Sequence, residues 1–543
     1  MTIDCLIINL TRFGDLIQSQ ALLHDLHAHG LKTGLVAQEN FAKTISLLDH
    51  VDACFVLKGA SLLKSSDDNW KNACKELHEW AKSIQKENQV SHVLNLTATL
   101  PARLLARLLS PAKKPILGFG LDEEGFGVNF GPWATFLSGT SSCRHNAVFN
   151  IADMFRMMAE PLYTSKTPYP ISIALQRPGA SDLNNAHNLL DCLERPSSSK
   201  QVNGFIAFQL GASAAKRQWP TRYFARLGDT LWEECGLCPV LTGAKNEEIL
   251  GAEFIEESHS PYVNAIGRTS LPVLSALLCH MKLLVSNDTG TLHLASGLGT
   301  PSLSFFLATA QPWDTGPSLP HCLCLEPDIP CHPCSFKTEC PYDHRCLQTI
   351  KPDQITPILR AWFHGATWQK AVQTVPNLTA RAWETARGDD GFVTIIPHTH
   401  HANEDRTRWI QHQRLFWRQL LDELSTNQRL PSHKPTPIAP CSDAFLNELT
   451  QVLEPCLHLL TIITEQAGLL EKSSQAGTLF LRNCDRLQTL LSTNSLLTSL
   501  AYFWRELRTD HGQNLESLFH AITILSKHIA ALLDHAKNGT NYA

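Results

Sequence analysis

The sequence predicts two doubly wound α/β domains in tandem, followed by an α-helical bundle. Twice along the chain, short apolar runs alternate with segments whose apolar residues recur at helical spacing. This is the pattern of a parallel sheet covered by helices. The C-terminal part instead contains leucine-rich segments with few glycines, and this composition favours a bundle. A chain of 543 residues has room for about three or four units of ordinary domain size.

The first α/β domain is predicted to span residues 1–175. Cys5–Leu10 is a short, continuous apolar run typical of a strand buried on both faces. It leads through a tight turn into Leu16–His29, whose apolar residues recur at helical spacing. Three later apolar runs, separated from each other by helical segments, complete the predicted sheet: Lys32–Ala37, Ala53–Leu57 and His92–Leu96.

The second α/β domain is predicted to span residues 203–363, after a polar linker near Gln176–Asn203. Its predicted strands are Gly204–Gln209, Pro239–Thr242, Lys282–Ser286 and Pro301–Phe306. Its predicted helices are Thr221–Cys235, Leu271–His280, a helix opening at Thr291–Gly297, and Asp353–Phe363. Strands and helices alternate as in the first domain, so we expect a second parallel sheet.

Two further regions follow the second α/β domain. Residues 364–440 are rich in His, Thr, Arg and Pro, and we predict an irregular connector with one amphipathic helix at Asn403–Ser425. Residues 441–543 are predicted to form a bundle of three or four helices. Such a bundle is usually structural or an oligomerisation surface, and we expect the same here.

The charge balance excludes a general binder of nucleic-acid backbones. The chain has 46 Lys and Arg against 51 Asp and Glu, a formal net charge of −5, whereas phosphate-backbone affinity requires a basic surface. A local anion site is compatible with this balance. No apolar run reaches the roughly 18–20 uncharged residues of a membrane span, and Met1–Asn9 lacks the basic and apolar regions of a signal peptide. We therefore expect a cytoplasmic protein with reduced thiols.

The first candidate site is the turn Arg12–Asp15, directly after the first predicted strand. Ligands of open α/β sheets bind at the carboxyl ends of strands. Gly14 permits a tight turn and a close backbone approach, and Asp15 begins the following helix at the edge of the expected cleft. A carboxylate in this position can accept a proton from a substrate hydroxyl. The alternative is that Asp15 only caps the helix.

The second candidate is Ser286–His293, again between a strand and a helix. Backbone N–H groups of Thr289, Gly290 and Thr291 near a helix N-terminus form an anion-binding cradle. His293 falls about one turn inside that helix, within reach of the same anion. A histidine at such a position can equally be a packed core residue. The segment lacks the sequence patterns of a P-loop and of a dinucleotide-binding fingerprint.

The third candidate is the loop Gly211–Pro220, which follows the first strand of the second domain. A small hydroxyl at Ser213 and two adjacent cations, Lys216 and Arg217, suit a diphosphate. The alternative is a solvated basic loop that Trp219 anchors to the core.

Together the three segments form a recognisable ordered set. FGD near the N-terminus, GASxxxRxWP after the linker and DTGTLHLASGLGTP later resemble glycosyltransferase family 9, the ADP-heptose-dependent heptosyltransferases. The resemblance spans about residues 3–357. It implies a GT-B fold, in which two Rossmann-like domains face each other across a cleft. The resemblance also implies that the first domain holds the acceptor and the second holds the sugar nucleotide.

The resemblance further implies roles for individual residues. Asp15 occupies the position of the family's catalytic base, and Ser213 that of a hydroxyl contacting the diphosphate. Arg217 stands where the family usually has lysine, with Lys216 just before it, so either cation is a candidate for the diphosphate. Glu247 matches a ribose-binding glutamate, although a glutamate there could simply begin a helix. The remaining phosphate-binding set is Asp288, Thr289, Gly290 and His293, and Gly267–Leu271 lies where the adenine edge is usually held.

The implied reaction is an inverting single displacement that transfers a heptose or related sugar from an ADP-sugar to a hydroxyl. The expected acceptor is the lipid A-core of lipopolysaccharide, another surface glycan or a protein, with the enzyme at most peripheral to a membrane. No metal cofactor is required for this transfer, and no DxD-type motif lies near the cleft residues. The alternative is a non-catalytic sugar-nucleotide or partner-binding scaffold. The presence of the whole set of candidate residues in one chain favours the enzyme.

Seventeen cysteines are present, and four of them fall within sixteen residues. Their spacing is Cys331-x2-Cys334-x5-Cys340-x5-Cys346, with His332 and His344 interleaved. Four thiolates are the ligands that tetrahedral Zn or Fe requires, and one branch of the resembled family holds iron with such cysteines. The spacing matches no standard zinc-finger template, so a structural Zn or Fe ion and free or paired thiols both stay open.

Overall fold

The computed structural model describes residues 1–111, 114–141, 147–163, 173–195, 200–335, 339–426, 438–470, 474–512 and 514–538. These residues form two α/β units with mostly parallel sheets and a C-terminal group of helices. This architecture confirms the fold class that the sequence predicts.

The first sheet places its N-terminal strand in the middle. Its strands are β1 (Thr2–Ile8), β2 (Thr33–Gln38), β3 (Ala53–Leu57), β4 (Gln89–Asn95), β5 (Ile116–Leu121) and β6 (Gly127–Phe130). Their order across the sheet is β3-β2-β1-β4-β5-β6, and all neighbours are parallel except β5 and β6. The apolar residues of β1 are fully buried, as expected of a strand covered by helices on both faces.

The helices of the first unit are interrupted at Ser19 and, within the fourth helix, at Asn69, which has a non-helical backbone (φ −161°, ψ 100°). They are α1 (Phe13–Gln18), α2 (Gln20–Ala28), α3 (Ala42–Ile45), α4 (Gly59–Glu87), α5 (Leu100–Leu109), α6 (Pro132–Thr140) and α7 (Ile151–Met158). The single helix predicted for Leu16–His29 is interrupted at Ser19, whose Oγ donates to the Leu16 carbonyl at 2.6 Å. Such a local side-chain bond competes with the regular helix. A short, separate α1 therefore follows β1.

The second sheet is larger and mixed. Its strands are β7 (Gly204–Gln209), β8 (Leu237–Thr242), β9 (Val263–Asn264), β10 (Met281–Asn287), β11 (Ser302–Phe305), β12 (Leu323–Pro327), β13 (Ala380–Arg387) and β14 (Val393–Pro397). They lie in the order β14-β13-β12-β11-β10-β7-β8-β9. The strands from β7 to β12 are parallel, so their carboxyl ends share one edge of the sheet.

The helices around the second sheet include one in the segment predicted as a linker. They are α8 (Ala180–Leu190), α9 (Thr221–Cys235), α10 (Glu248–Glu257), α11 (Leu271–Cys279), α12 (Gly290–Leu298), α13 (Pro312–Thr315), α14 (Pro352–Phe363) and α15 (Trp368–Val372). The predicted linker contains α8, which packs against α11 and buries Ala186 and Leu190. Its three asparagines have low helix propensity, which explains why the local sequence resembles a loop.

Part of the segment predicted as an irregular connector instead extends the second sheet. β13 pairs antiparallel with β12, and β14 pairs antiparallel with β13. The alanines, arginines and glutamate of β13 favour a helix locally, so its extended state depends on pairing with β12. Trp383 of β13 is buried and donates from Nε1 to Glu326 at 2.7 Å. The helix predicted at Asn403–Ser425 is present as α16 (Asp405–Thr426).

The C-terminal helices dock on the first unit. They are α17 (Asp443–Ala467), α18 (Ser474–Thr493), α19 (Thr498–His511) and α20 (Leu515–Asn538). α19 packs against α6, where a Cβ on Gly139 would lie 3.2 Å from the backbone nitrogen of Phe503. Asp510 accepts hydrogen bonds from the backbone of Asn129 at 2.8 Å and from Thr135 Oγ1 at 2.7 Å. Oligomerisation through these helices stays a prediction.

Within the described part of the chain, no helix combines the length and apolar character needed to cross a membrane.

Candidate active site

The two sheets bring their central strand ends together. α1 follows β1 of the first sheet, α12 follows β10 of the second, and the two helices pack against each other. A Cβ on Gly14 would lie 3.3 Å from Gly290 Cα and 3.3 Å from His293 Cδ2. A Cβ on Gly290 would lie only 2.3 Å from Phe13 Cδ1. Glycine is therefore needed on both sides of this junction, where the FGD and DTG segments meet.

Asp15 lies in the first turn of α1 and is not its N-cap residue, because that position is taken by Arg12. The half-buried Asp15 is one residue away from the contact between Gly14 and the second unit. Asn9, which is fully buried, donates from Nδ2 to the Asp15 carbonyl at 3.3 Å. Asn9 also accepts from the Thr11 backbone at 3.3 Å. Asn9 was not among the predicted site residues, although its place directly after an apolar strand is a usable signal.

The DTG segment is fixed by a buried asparagine. Asn287 at the end of β10 donates to the Leu210 carbonyl at 2.8 Å and accepts from the Trp219 backbone at 2.8 Å. It thereby ties the loops after β7 and β10 together. Trp219 was predicted only as an anchor, and Asn287 was not predicted to have a role of its own. Trp219 is buried and stacks on Phe305 at 4.2 Å between ring centroids.

The start of α12 offers donors for an anion. Thr289 is the N-cap residue of α12 and has an extended backbone, so the helix dipole and the first N–H groups point toward the cleft. The buried Thr289 Oγ1 has no hydrogen-bond partner among the described residues. Thr291 is engaged differently, since its Oγ1 donates to Gln209 at 3.0 Å. The anion cradle at this position stays a prediction, and these donors are the groups that would form it.

Arg217 is the cation that contacts the other candidate phosphate residues. Its guanidinium forms an ion pair with the buried Asp288 and donates to Ser213 Oγ at 3.1 Å. Arg217 Nε is buried and has no partner within the described part of the chain. Lys216 instead lies close enough to Cys334 to oppose the rise in the pKa of that thiol. The geometry therefore brings Arg217, and not Lys216, to Ser213 and Asp288.

His293 lies inside the first turns of α12 and is 6% exposed. Burial lowers the pKa of His293 to about 4, and the Asp288 carboxylate opposes this shift only in part. The imidazole is therefore neutral at pH 7 in the free protein. An anion bound at the start of α12 would favour the protonated form.

Glu247 lies between the ends of β7 and β8. Its Oε2 accepts from the Ala244 backbone at 2.7 Å and from Gln209 Nε2 at 3.4 Å. A Cβ on Gly211 would overlap Glu247 Oε1 at 1.5 Å, so the glycine makes room for this carboxylate. Gln209, which the sequence analysis did not single out, connects Glu247 to Thr291 and hence to the cradle.

The segment Gly267–Leu271 lies beside the Glu247 loop. Gly267 has a positive φ of 68°, and a Cβ there would lie 3.2 Å from Lys245 Cα. Ser270 caps α11 by accepting from the Val273 backbone at 3.4 Å. The segment is thus in position to border a group held by Glu247.

The four clustered cysteines do not converge on one point. Burial raises the pKa of Cys334 and Cys346, and the neighbouring thiols add to the rise. Among the described residues, no three of the four sulfurs lie within 4.8 Å of one another. Their chemistry suits Zn or Fe, but this arrangement does not form a ligand set. The metal therefore stays a prediction for Cys331, Cys334, Cys340 and Cys346.

Two Rossmann-like units whose central strand ends face each other define the GT-B type of architecture. Solved structures agree with this class. The chain aligns with the glycosyl transferase family 9 structure from Veillonella parvula with a TM-score of 0.50 and 17% identity, covering 67% of this chain and 98% of that one. This likeness shows the fold.

Sequence comparisons give a family match for part of the chain. Residues 153–345 match the model described as glycosyltransferase family 9 (heptosyltransferase). The chain is 24% identical over 171 residues to lipooligosaccharide heptosyltransferase 2 of Campylobacter jejuni, covering 30% of this chain and 52% of that protein. It is 29% identical over 154 residues to lipopolysaccharide heptosyltransferase 1 of Pseudomonas aeruginosa, covering 28% and 42%. The chain thus spans about half the length of the first relative and less of the second.

Residues 153–345 of this chain match glycosyltransferase family 9, the family that its motifs resemble.

Proposed function

We propose that the chain is an inverting glycosyltransferase that moves a heptose, or a related sugar, from an ADP-sugar to a hydroxyl of an acceptor. The observation that carries this proposal is the contact of Gly14 with Gly290 and His293. It puts Asp15, a candidate base, next to the start of α12, a candidate phosphate site. A base and a leaving-group site on opposite sides of one cleft are what a direct displacement requires.

The donor side of the cleft accounts for the nucleotide. Arg217, Thr289 and the first N–H groups of α12 face the place where we position the diphosphate. Two buried polar atoms there, Arg217 Nε and Thr289 Oγ1, lack hydrogen-bond partners among the described residues. Phosphate oxygens would accept a hydrogen bond from each of them. Glu247 would accept hydrogen bonds from the ribose hydroxyls, with Gly267–Leu271 bordering the base.

The reaction we propose is a single displacement. Asp15 accepts the proton of the acceptor hydroxyl as its oxygen forms a bond to the anomeric carbon of the donor. The bond between that carbon and the ADP oxygen breaks, and its electron pair leaves with ADP. Negative charge then grows on the diphosphate. Arg217, His293 and the N-terminus of α12 stabilise this charge because they are fixed in place before the reaction.

The names of the relatives support heptose as the sugar and a lipopolysaccharide or lipooligosaccharide as the acceptor. A different surface glycan or a protein is the other acceptor we retain, because the C-terminal helices lie outside the matched region. We place the reaction in the cytoplasm, with the enzyme at most peripheral to a membrane.

The test uses the purified full chain with ADP-heptose and a panel of acceptors: a heptose-free lipid A-core, a surface glycan and a candidate protein. We expect ADP release that depends on one acceptor, with inversion at the anomeric carbon seen by NMR of the product. Calorimetry should show tighter binding of ADP than of UDP or GDP. Tight ADP binding without acceptor-dependent ADP release would favour the non-catalytic scaffold. A product with retained configuration would contradict the displacement.

A further inference from the structure

Two histidines and two carboxylates meet outside the candidate active site. Asp328 directly follows β12, while His400, His401 and Glu404 lie in the short turn between β14 and α16. We call these four residues the histidine–carboxylate cluster. The sheet extension through β13 and β14 brings its two parts together, which the sequence analysis did not foresee.

His401 is the centre of the cluster. Its side chain is 1% exposed, and its Nε2 lies 3.0 Å from Asp328 Oδ1 and 3.6 Å from Glu404 Oε1. Two carboxylates therefore approach the same ring nitrogen. The other ring nitrogen, Nδ1, lies 2.9 Å from Thr399 Oγ1. A hydroxyl that holds one ring nitrogen leaves the other free to bind and fixes the orientation of the ring, as outer-shell partners of metal-bound histidines do.

Three of the four residues have donor atoms spaced for a single ion. One donor atom each from Asp328, His400 and His401 all lie within 4.8 Å of one another. His400 Nε2 is also 4.0 Å from Glu404 Oε1. Ligands that bind tetrahedral zinc at about 2.0–2.1 Å lie about 3.3–3.4 Å apart. The three separations of 3.0, 3.6 and 4.0 Å lie close to this value.

We propose that Asp328, His400 and His401, with Glu404 as the fourth ligand, form a binding site for a divalent transition-metal ion such as Zn²⁺. Two imidazoles and two carboxylates suit zinc and its neighbours better than Mg²⁺ or Ca²⁺, which prefer oxygen ligands. The ion would fix the turn before α16 to the end of β12. It would therefore clamp the point where the second sheet passes into the C-terminal helices.

Positive charge lies beside the cluster, since Arg406 acts electrostatically on Glu404 and Arg381 on Asp328. Arg381 Nη2 lies 3.5 Å from Asp328 Oδ1, so this carboxylate has a cation beside it before any metal binds. An ordinary ion pair with Arg381 accounts for Asp328 alone. It leaves unexplained why a second carboxylate, Glu404, and the exposed His400 also lie at this point.

The test measures metal binding directly and is independent of sugar transfer. The full chain is treated with EDTA, desalted and titrated with Zn²⁺, with Co²⁺ as a visible probe and Mg²⁺ as a control. We expect uptake of a Zn²⁺ ion and the strong visible absorption of tetrahedral Co²⁺. His400 is 72% exposed at its side chain, so His400→Ala should fold normally and weaken Zn²⁺ binding at least about tenfold. Asp328→Asn should weaken it similarly.

Two control variants separate this cluster from other donors. His364→Ala removes an exposed histidine elsewhere and should leave the titration unchanged. Cys334→Ser removes a thiol of the cysteine segment and should leave the Zn²⁺ site that His400→Ala weakens intact. Absence of Zn²⁺ uptake by the unaltered chain would overturn the proposal. So would wild-type binding by both cluster variants, or a single site lost only with Cys334→Ser.

Discussion

Two helix–helix junctions in this molecule each have a glycine at their closest approach. At the cleft junction α1 packs against α12, and at the second junction α6 packs against α19 of the C-terminal helices. A Cβ on Gly14 would lie 3.3 Å from Gly290 Cα, and a Cβ on Gly139 would lie 3.2 Å from the backbone nitrogen of Phe503. Both junctions join parts of the chain that are far apart in sequence. They differ in what surrounds the glycine.

The polar atoms at the two junctions are used differently. At the cleft, the buried Thr289 Oγ1 and the nearby Arg217 Nε have no partners among the described residues. At the second junction, both carboxylate oxygens of Asp510 accept hydrogen bonds, from Asn129 and Thr135. A buried donor without a partner is costly. Trp133 Nε1 on α6 and Ser499 Oγ on α19 are further such atoms among the described residues, so it is the pairing of a cation and a hydroxyl at the start of a helix that indicates a ligand position at the cleft. A carboxylate whose two oxygens both accept hydrogen bonds from the protein, such as Asp510, instead indicates a permanent contact between α19 and the first unit.

The largest expected effect concerns the cleft. Asp15→Asn keeps the shape of the side chain but removes the proton acceptor, so turnover should fall by about 10²–10⁴-fold. The affinity for ADP should change little, because the base does not hold the donor. Steady-state rates and ADP titrations measure the two quantities. Asp191→Asn, at an exposed aspartate beyond α8, serves as the matched control, and near-normal turnover of Asp15→Asn would remove Asp15 from the mechanism.

Two adjacent cations give a sharper test of the same junction. Arg217→Ala should weaken ADP binding by about 10–100-fold, because it removes charge-assisted hydrogen bonds to the diphosphate. Lys216→Ala should weaken binding by less than about threefold, as expected of a screened surface charge. Calorimetric titration of both variants with ADP gives the comparison. If Lys216→Ala has the larger effect, the assignment of the diphosphate to Arg217 is wrong.

The sequence predicted the parts of the site that follow a strand directly. Asp15, Arg217 and Asp288 each lie on the strand–turn–helix segment where their motif placed them. Such segments are local, so the pattern of a buried run, a glycine and a helix is sufficient to find them. Which of the two cations meets Asp288 was not predictable, because it depends on how the loop after β7 turns.

The parts that the sequence did not predict depend on long-range pairing. β13 has helix-favouring residues and becomes a strand only beside β12, more than fifty residues earlier. The histidine–carboxylate cluster depends on that pairing, since Asp328 and His401 come from the two sides of the extension. Asn287 and Gln209 were missed for a related reason, because their partners lie on other loops.

A matched pair of glycine substitutions compares the two junctions directly. Gly14→Ala would press a Cβ on backbone atoms of the second unit, so turnover should fall roughly tenfold through misplacement of the reacting groups. The melting temperature should change little. Gly139→Ala would press on α19 and should lower the free energy of unfolding by about 1 kcal/mol, net of the helix-favouring effect of alanine. Turnover at 25 °C should be unaffected. The opposite assignment of the two effects would contradict the distinction between the junctions.

The smallest effect is a pH dependence at the second junction. Burial raises the pKa of Asp510 to about 6 from its ordinary value of 3.8, and the neighbouring Glu506 adds to the rise. The folded chain therefore holds a proton on Asp510 that the unfolded chain releases between about pH 4 and 6. The stabilisation by this proton is present below about pH 4 and is lost as the pH rises through 6.

Asp510→Asn removes this titration and leaves the shape of the side chain. The free energy of unfolding of the unaltered chain, minus that of Asp510→Asn, should therefore decrease as the pH rises from 4.5 to 7, by on the order of 1 kcal/mol. Melting temperatures of the two chains at each pH measure this difference. Asp485→Asn, at a side chain that is 73% exposed on α18, is the control and should show no such trend. If the difference in stability between the two chains is constant with pH, water reaches Asp510 and α19 does not exclude solvent from the second junction. The second junction would then be open to solvent, as the cleft is.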